Sequence, residues 1–230
     1  DPLLVAINDS PLVQGHVLLL PEPARRLPQV LTAPVLHAGL EAVLLSAHPG
    51  FRVGFNGLGG CASVNHLHLH RLYLPWPLPV ETAPTRPLCP RRNLSLLWDA
   101  PAPAFLFYAT GPASLGELAR DVCRAAEFLA DAGLACNLLA TRGDPPEGVA
   151  SGGTQGLRVL LWARKPTFGA KAAGAFTVAL CELAGYLPLP TASLYEDITE
   201  AEALRAIHEH LLPEPELLRL AKDLVRLLED

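Results

Sequence analysis

The segment Asn65-His66-Leu67-His68-Leu69-His70, inside an alternating run from Ser63 to Leu74, constrains the fold more than any other stretch of the chain. Side chains of a β-strand point to alternate faces. The pattern therefore predicts a strand that buries Leu67 and Leu69 and sets His66, His68 and His70 along the opposite face, about 6.6 Å apart per step. Three imidazoles in register on a rigid support can do two kinds of chemistry. Histidines at i and i+2 can bind zinc or copper, with a third ligand or a water completing the site. Alternatively, one imidazole can attack phosphorus while its neighbours orient it and donate to phosphate oxygens.

The preceding loop, Asn56-Gly57-Leu58-Gly59-Gly60-Cys61-Ala62-Ser63, favours the second chemistry. Its glycines leave backbone amides unobstructed, and Asn56, Ser63 and Asn65 add polar side chains, a combination that suits an oxyanion better than a cation. The loop also matches G-x-G-x-x-A at Gly57, Gly59 and Ala62. A dinucleotide fingerprint opens a helix, whereas here the chain runs into the histidine strand, so that fold is rejected. The candidate phosphate- or nucleotide-binding residues are Asn56, Gly60, Ser63, Asn65, His66 and His70, around His68.

The rest of the chain reads as α+β. Leu3–Ile7, a turn at Asn8-Asp9-Ser10-Pro11 and Val17–Leu20 predict strand, turn, strand, with His16 at the second strand's start read as structural. Helical spacing between Pro34 and Pro49 predicts an amphipathic helix, followed by a strand at Phe51–Phe55. From Pro75 to Pro103, eight prolines in 29 residues predict a connecting arm with little regular structure. Residues 1–75 thus form one half, 76–103 an arm and 104–230 a second half.

In that second half Ala104–Ala109 reads as a strand. Ser114-Leu115-Gly116-Glu117 reads as a capping box opening a helix to about Ala132, with Gly133 as its C-terminal cap. Cys136–Ala140 and Leu157–Ala163 read as strands around a polar loop containing Ser151–Gly156. Phe176–Ala184 fits a buried helix or a strand. Thr199-Glu200-Ala201-Glu202 is a second capping box, and Pro213 separates two closing helices. Arg164-Lys165 ends a strand and reads as a solvated pair, and Trp76, Trp98 and Trp162 as packing.

Charge and cysteine content limit partners and compartment. The net charge of −5 is uneven: residues 196–230 hold ten acids and four bases, leaving the body at +1. A near-neutral body argues against polymeric nucleic acid but permits a local phosphate pocket. Five widely spaced cysteines without a C-x-x-C predict a reducing, cytoplasmic home, and no apolar run approaches the roughly 18–20 residues of a membrane span. The absence of methionine at position 1 predicts a piece of a longer protein.

The run His66-Leu67-His68-Leu69-His70 resembles the signature of the histidine triad superfamily, and Ile7–Pro11 through Gly15–Pro21 resembles the hairpin that precedes that site. Gly54-Phe55-Asn56 through His70, with Leu72-Tyr73-Leu74, is similar to the GDP-hexose phosphorylases, which comprise vertebrate GDP-D-glucose and plant GDP-L-galactose phosphorylases. Leu161–Lys165, Phe168-Gly169 and Ala179–Gly185 resemble the vertebrate branch. The resemblance implies histidine-triad-like antiparallel sheets with flanking helices.

It also implies a two-step guanylyl transfer without metal or cofactor. His68 attacks the α-phosphorus of GDP-D-glucose and expels glucose 1-phosphate, and inorganic phosphate then takes the guanylyl group from His68 as GDP. Asn56, Ser63 and Asn65 would donate to the phosphates, and His66 and His70 would orient the ring or bind phosphate. Arg71 and Gly57 depart from the family pattern. The alternatives are a metal-dependent hydrolase or metal-binding module using the three histidines, and a catalytically disabled nucleotide-binding protein.

Overall fold

The computed structural model describes residues 3–147, 149, 155–168 and 177–230. Leu3–Ile7 (β1) and Val17–Pro21 (β2) form the expected hairpin. Ala33–Leu45 (α1) follows, with Pro34 in its first turn, where no intrahelical N–H bond is lost. It buries Val35, Leu36, Leu40 and Val43. Gly39 brings the helix close to the sheet: a Cβ there would stand 2.9 Å from Leu69 Cδ1 and 3.0 Å from Val53 Cγ1. Phe51–Asn56 (β3) and Leu69–Tyr73 (β4) complete the first half.

The second half repeats that order. Thr85–Cys89 (β5), Leu94–Leu97 (β6) and Ala104–Ala109 (β7) lead into Leu115–Asp131 (α2), Ala135–Gly143 (β8) and Gly156–Arg164 (β9). Four helices follow: Leu180–Leu183 (α3), Ala192–Asp197 (α4), Glu200–His208 (α5) and Glu214–Glu229 (α6). All nine strands join one antiparallel sheet, in the order β1-β2-β4-β3-β8-β9-β7-β6-β5. The spatial order β1-β2-β4-β3 of the first half recurs as β6-β7-β9-β8, and the halves meet at the β3–β8 pair. One face packs against α1, α2 and α6. The other holds a second apolar cluster that includes Leu72, Leu106, Leu160 and Trp162.

The proline-rich segment is part of the sheet. Pro79 and Pro90 open short 3-10 turns where no N–H is required, and Pro87 lies on β5, the edge strand, beside an irregularity in its pairing with β6. Burial of Leu94, Leu96 and Leu97 outweighs the prolines' effect on regularity. Buried polar contacts pin the segment: Glu81 Oε1 accepts from Arg52 Nε at 2.8 Å and Thr141 Oγ1 at 2.6 Å. Arg158 Nη1 donates to the carbonyls of Val80 and Ala83, each at 2.9 Å.

The capping signals had different fates. At Thr199 the hydroxyl accepts from Glu202 N–H at 3.3 Å and Glu202 Oε2 accepts from Thr199 N–H at 2.9 Å, a complete box. Ser114 forms none. A 3-10 turn at Pro112–Ser114 leads straight into α2, its hydroxyl donates to Gly111 O, and Glu117 pairs instead with Arg92 at 2.7 Å. Gly133 takes the left-handed φ of +73° expected of a C-terminal cap. Of the stretch read as helix or strand at Phe176–Ala184, residues 180–183 form one helical turn. Phe176, Gly169 and the loop residues Ser151–Thr154 lie outside the described residues.

All five cysteines are free thiols. Among the described residues no helix is long and apolar enough to cross a membrane.

Candidate active site

The regular part of β4 begins at Leu69, later than the alternation suggested, so His66 and His68 precede it in irregular backbone. Leu67 and Leu69 are fully buried as the pattern required. His68 and His70 are brought together with ring centroids 5.0 Å apart, nearly edge to face. His66 does not join them. It does not line the cavity beside them, and its Nε2 is buried without a partner. Period-two alternation holds only while the strand is paired, and upstream of Leu69 it is not.

His68, His70, Asn56 and Ser63 line a cavity of about 520 Å³ on the face opposite α1, α2 and α6. His68 Nδ1 lies 2.7 Å from the carbonyl oxygen of His66. A carbonyl only accepts, so the ring's proton is on Nδ1 and Nε2 carries the lone pair. His68 is thus held in the tautomer that a nucleophile needs.

His16 belongs to the same cluster. It opens β2, whose Leu18 pairs with His70, and is 2% exposed. Leu12 N–H donates to His16 Nδ1 at 3.0 Å, which puts the neutral ring's proton on Nε2, 3.0 Å from His70 Nδ1 and 3.1 Å from Asn8 Nδ2. Burial, reinforced by the nearby His68, lowers His16 to about 4. Burial, then His68 and His16, lowers His70 to about 3. Both are neutral near pH 7.

Accepting a hydrogen bond at Nδ1, neutral His70 carries its own proton on Nε2. The Asn56 side chain lies 3.3 Å away but presents Nδ2, because its Oδ1 accepts from Asn137 Nδ2 at 2.6 Å and Leu180 N–H at 3.3 Å. Two donors face each other there, so His70 Nε2–H is left for an acceptor in the cavity.

Several expected contacts serve the scaffold. Gly60 does not line the cavity: its carbonyl accepts from Asn137 Nδ2 at 2.7 Å, and a Cβ on it would stand 2.6 Å from Cys136 O. The loop amides of Gly57, Gly60 and Ala62 donate to Cys136 O, Gly57 O and Gly57 O, so these three are used in packing the loop. Asn65 also lies off the cavity, its Oδ1 accepting from Gln29 N–H at 2.8 Å.

Arg164, read as solvated, is 0% exposed and donates to Asn137 Oδ1 at 3.4 Å. The guanidinium of Arg71 stacks on Phe51 and Tyr73, 5.0 Å from each ring centre, and Arg71 does not border the cavity. None of the three tryptophans lines it.

Sequence reasoning did not single out Asn8, Asp9, Asn137 or Glu182. Asn8 and Asp9, in the β1–β2 turn, line the cavity together with Glu182 of α3. Glu182 Oε2 accepts from Ala179 N–H at 2.8 Å, as Glu81 Oε2 does from Leu78 N–H at 3.1 Å. A short helical turn capped by a glutamate thus lies downstream of both β4 and β9. Ala179 followed by Glu182 was a weak signal, since alanine has no capping oxygen. Among the described residues no group of three or more histidines, cysteines or carboxylates is arranged to hold a metal ion.

The fold, a nine-stranded antiparallel sheet made of two repeated halves, is similar to that of a solved phosphorylase. The crystal structure of yeast Ap4A phosphorylase Apa2 matches it with a TM-score of 0.64 at 14% identity, covering 91% of this chain and 72% of that one. The chain belongs to the GDPGP1-like family, whose N-terminal domain matches residues 1–72 and C-terminal domain residues 79–230. It is 58% identical to GDP-D-glucose phosphorylase 1 of Bos taurus over 215 residues, 93% of this chain and 56% of that protein. The more distant GDP-L-galactose phosphorylase 1 of Arabidopsis thaliana is 31% identical over 222 residues, 93% of this chain and 48% of that protein. The chain thus spans about half the length of the curated relatives it matches.

Proposed function

We propose that this chain carries the catalytic histidine of a GDP-D-glucose phosphorylase. The observation that carries the proposal is the His68 Nδ1 contact with His66 O, which leaves a lone pair on Nε2 in a residue that borders the cavity. Nε2 attacks the α-phosphorus of GDP-D-glucose. The P–N bond forms, the bond to the bridging oxygen breaks, and glucose 1-phosphate leaves with the electron pair. An oxygen of inorganic phosphate then attacks the same phosphorus, the P–N bond breaks, and GDP is released with His68 restored. A covalent intermediate replaces one hard displacement with two easier ones.

His70 Nε2–H donates to a non-bridging phosphate oxygen, with its polarity fixed by His16. Ser63 supplies a hydroxyl from the cavity wall. Gly60 and Asn65 act indirectly, by holding the loop and the backbone ahead of His68. Their contacts, and the exclusion of His66 from the cavity, favour direct phosphate binding by His70, Ser63 and Asn56 only. Neutral donors of this kind stabilise developing charge when they are preorganised and shielded from water. The family and the similarity to GDP-D-glucose phosphorylase 1 support the choice of nucleotide and hexose.

The test is incubation of the full-length protein with GDP-glucose labelled at the α-phosphate. Acid-labile label should appear on His68, be absent in His68→Ala, and be discharged as GDP by phosphate. An active wild type that never carries label would overturn the covalent route. Phosphorolysis across a panel of GDP- and ADP-hexoses tests the choice of base and sugar, and equal turnover of ADP-glucose would refute guanine selectivity.

A further inference from the structure

The β3–β4 ladder ends at the pair Gly54–His70. Continued in the same register, the next pairs would set Phe55 opposite Leu69 and then Asn56 opposite His68, and at the latter a side chain stands between the strands. Gln29, 3% exposed, accepts from His68 N–H at 2.9 Å through Oε1 and donates from Nε2 to Asn56 O at 3.0 Å and His68 O at 3.3 Å. A carboxamide thus replaces direct pairing of the two backbones. An ordinary antiparallel ladder holds opposed Cα atoms about 4.5–5.5 Å apart, and an inserted amide widens that gap. The segment around Gln29 holds the approach to His68 as well: Leu67 N–H donates to Leu27 O and Gln29 N–H to Asn65 Oδ1, each at 2.8 Å.

A direct ladder would satisfy the same backbone groups without ordering a long side chain. What the wedge achieves is placement. His68 stands apart from β3 while His70, two residues on, is locked into the sheet. We propose that Gln29 is the positioning residue for the nucleophile, setting the depth and angle from which His68 Nε2 meets the reacting phosphorus. This rests on the reading of His68 given above. Gln29 does not line the cavity, so it acts through the backbone of His68, whereas the Asn56 side chain is held separately by Asn137 Nδ2 and Leu180 N–H.

The experiment uses the full-length enzyme with Gln29→Leu and Gln29→Glu, following single-turnover guanylylation of His68 and steady-state phosphorolysis. Misplacing a nucleophile by an ångström costs up to about a hundredfold, so Gln29→Leu should slow guanylylation and kcat by roughly 10- to 100-fold. In a His68→Ala background the same change should leave the Kd for GDP-glucose within about twofold, because it affects placement of the nucleophile and not of the substrate. A buried glutamic acid can accept from His68 N–H in either form but can donate to a backbone carbonyl only when protonated. Gln29→Glu should therefore recover activity relative to wild type as pH falls from about 8 to about 6, a dependence that a purely structural role would not produce.

A guanylylation rate within about twofold of wild type in Gln29→Leu would overturn the assignment, as would a Kd that rises in step with the loss of rate. If Gln29→Leu does not fold, Gln29→Glu carries the comparison, and absence of pH-dependent recovery overturns the assignment. The two proposals fail separately. Turnover retained by His68→Ala refutes the nucleophile itself, whereas an inactive His68→Ala beside an unaffected Gln29→Leu refutes only the positioning role.

Discussion

Acid should destabilise this protein through His16 and His70. Burial first, and neighbouring imidazoles second, hold His16 at about 4 and His70 at about 3, whereas each returns to about 6.5 in the unfolded chain. These are bases with depressed folded values. As pH falls the unfolded state binds protons first, so the stability that depends on their neutrality is complete above about pH 6.5 and is lost progressively below it, toward the folded values. At about pH 5 the unfolded imidazoles are almost fully charged and the folded ones are not. The loss there is set by the unfolded pKa, about 2 kcal/mol per histidine and about 4 kcal/mol for the pair. Against a typical total of about 5–15 kcal/mol, that is a large fraction.

Urea unfolding followed by tryptophan fluorescence, at several values between about pH 7.5 and about pH 5, measures this loss. Carboxylates and the other histidines titrate in every variant, so the informative quantity is the difference in pH dependence between wild type, His70→Asn and the double variant His16→Asn/His70→Asn. The single variant should abolish about 2 kcal/mol of the acid-dependent loss and the double variant about 4 kcal/mol, whatever their stabilities at neutral pH. Equal losses between about pH 7.5 and about pH 5 in wild type and double variant would refute the claim that the folded site keeps both rings neutral.

Other changes have separate signatures. Glu81→Ala leaves the buried Arg52 guanidinium without its carboxylate and should cost about 3–5 kcal/mol in urea unfolding, because breaking a buried pair strands a charge; a cost below about 1 kcal/mol would mean that the contact is solvated. Gly60→Ala places a Cβ 2.6 Å from Cys136 O, so the loop must shift, with an expected stability loss of about 1–3 kcal/mol and a fall in kcat read by the phosphorolysis assay. Thr199→Ala removes an exposed capping box and should cost about 1 kcal/mol by thermal or urea unfolding, with catalysis unchanged.

Periodicity and chain-breaking residues were reliable guides where a segment interacts mainly with itself or presents one face to a core. They located β1, β2, α1, β3, β7, α2, β8 and β9, the Gly133 cap and the Thr199 box. They misread the proline-rich segment, because a proline at the first position of a 3-10 turn or on an edge strand leaves no inward-facing donor missing. They also misread Ser114, whose capping geometry was displaced by a preceding 3-10 turn.

The same boundary runs through the site. The alternation at Leu67, His68, Leu69 and His70 determined by itself that two leucines are buried and that histidines face away from them, because strand geometry follows from local stereochemistry. Family resemblance in the same residues pointed to His68. Only the tertiary structure decided that His66 stands outside the cluster and that His16, 54 residues from His70, belongs in it. It alone showed that the amides of Gly57, Gly60 and Ala62 are used in packing the loop, and that Gln29 divides β3 from the nucleophile. Those outcomes depend on hydrogen-bond partners remote in sequence, and a donor or acceptor carries no local mark of which distant group will satisfy it.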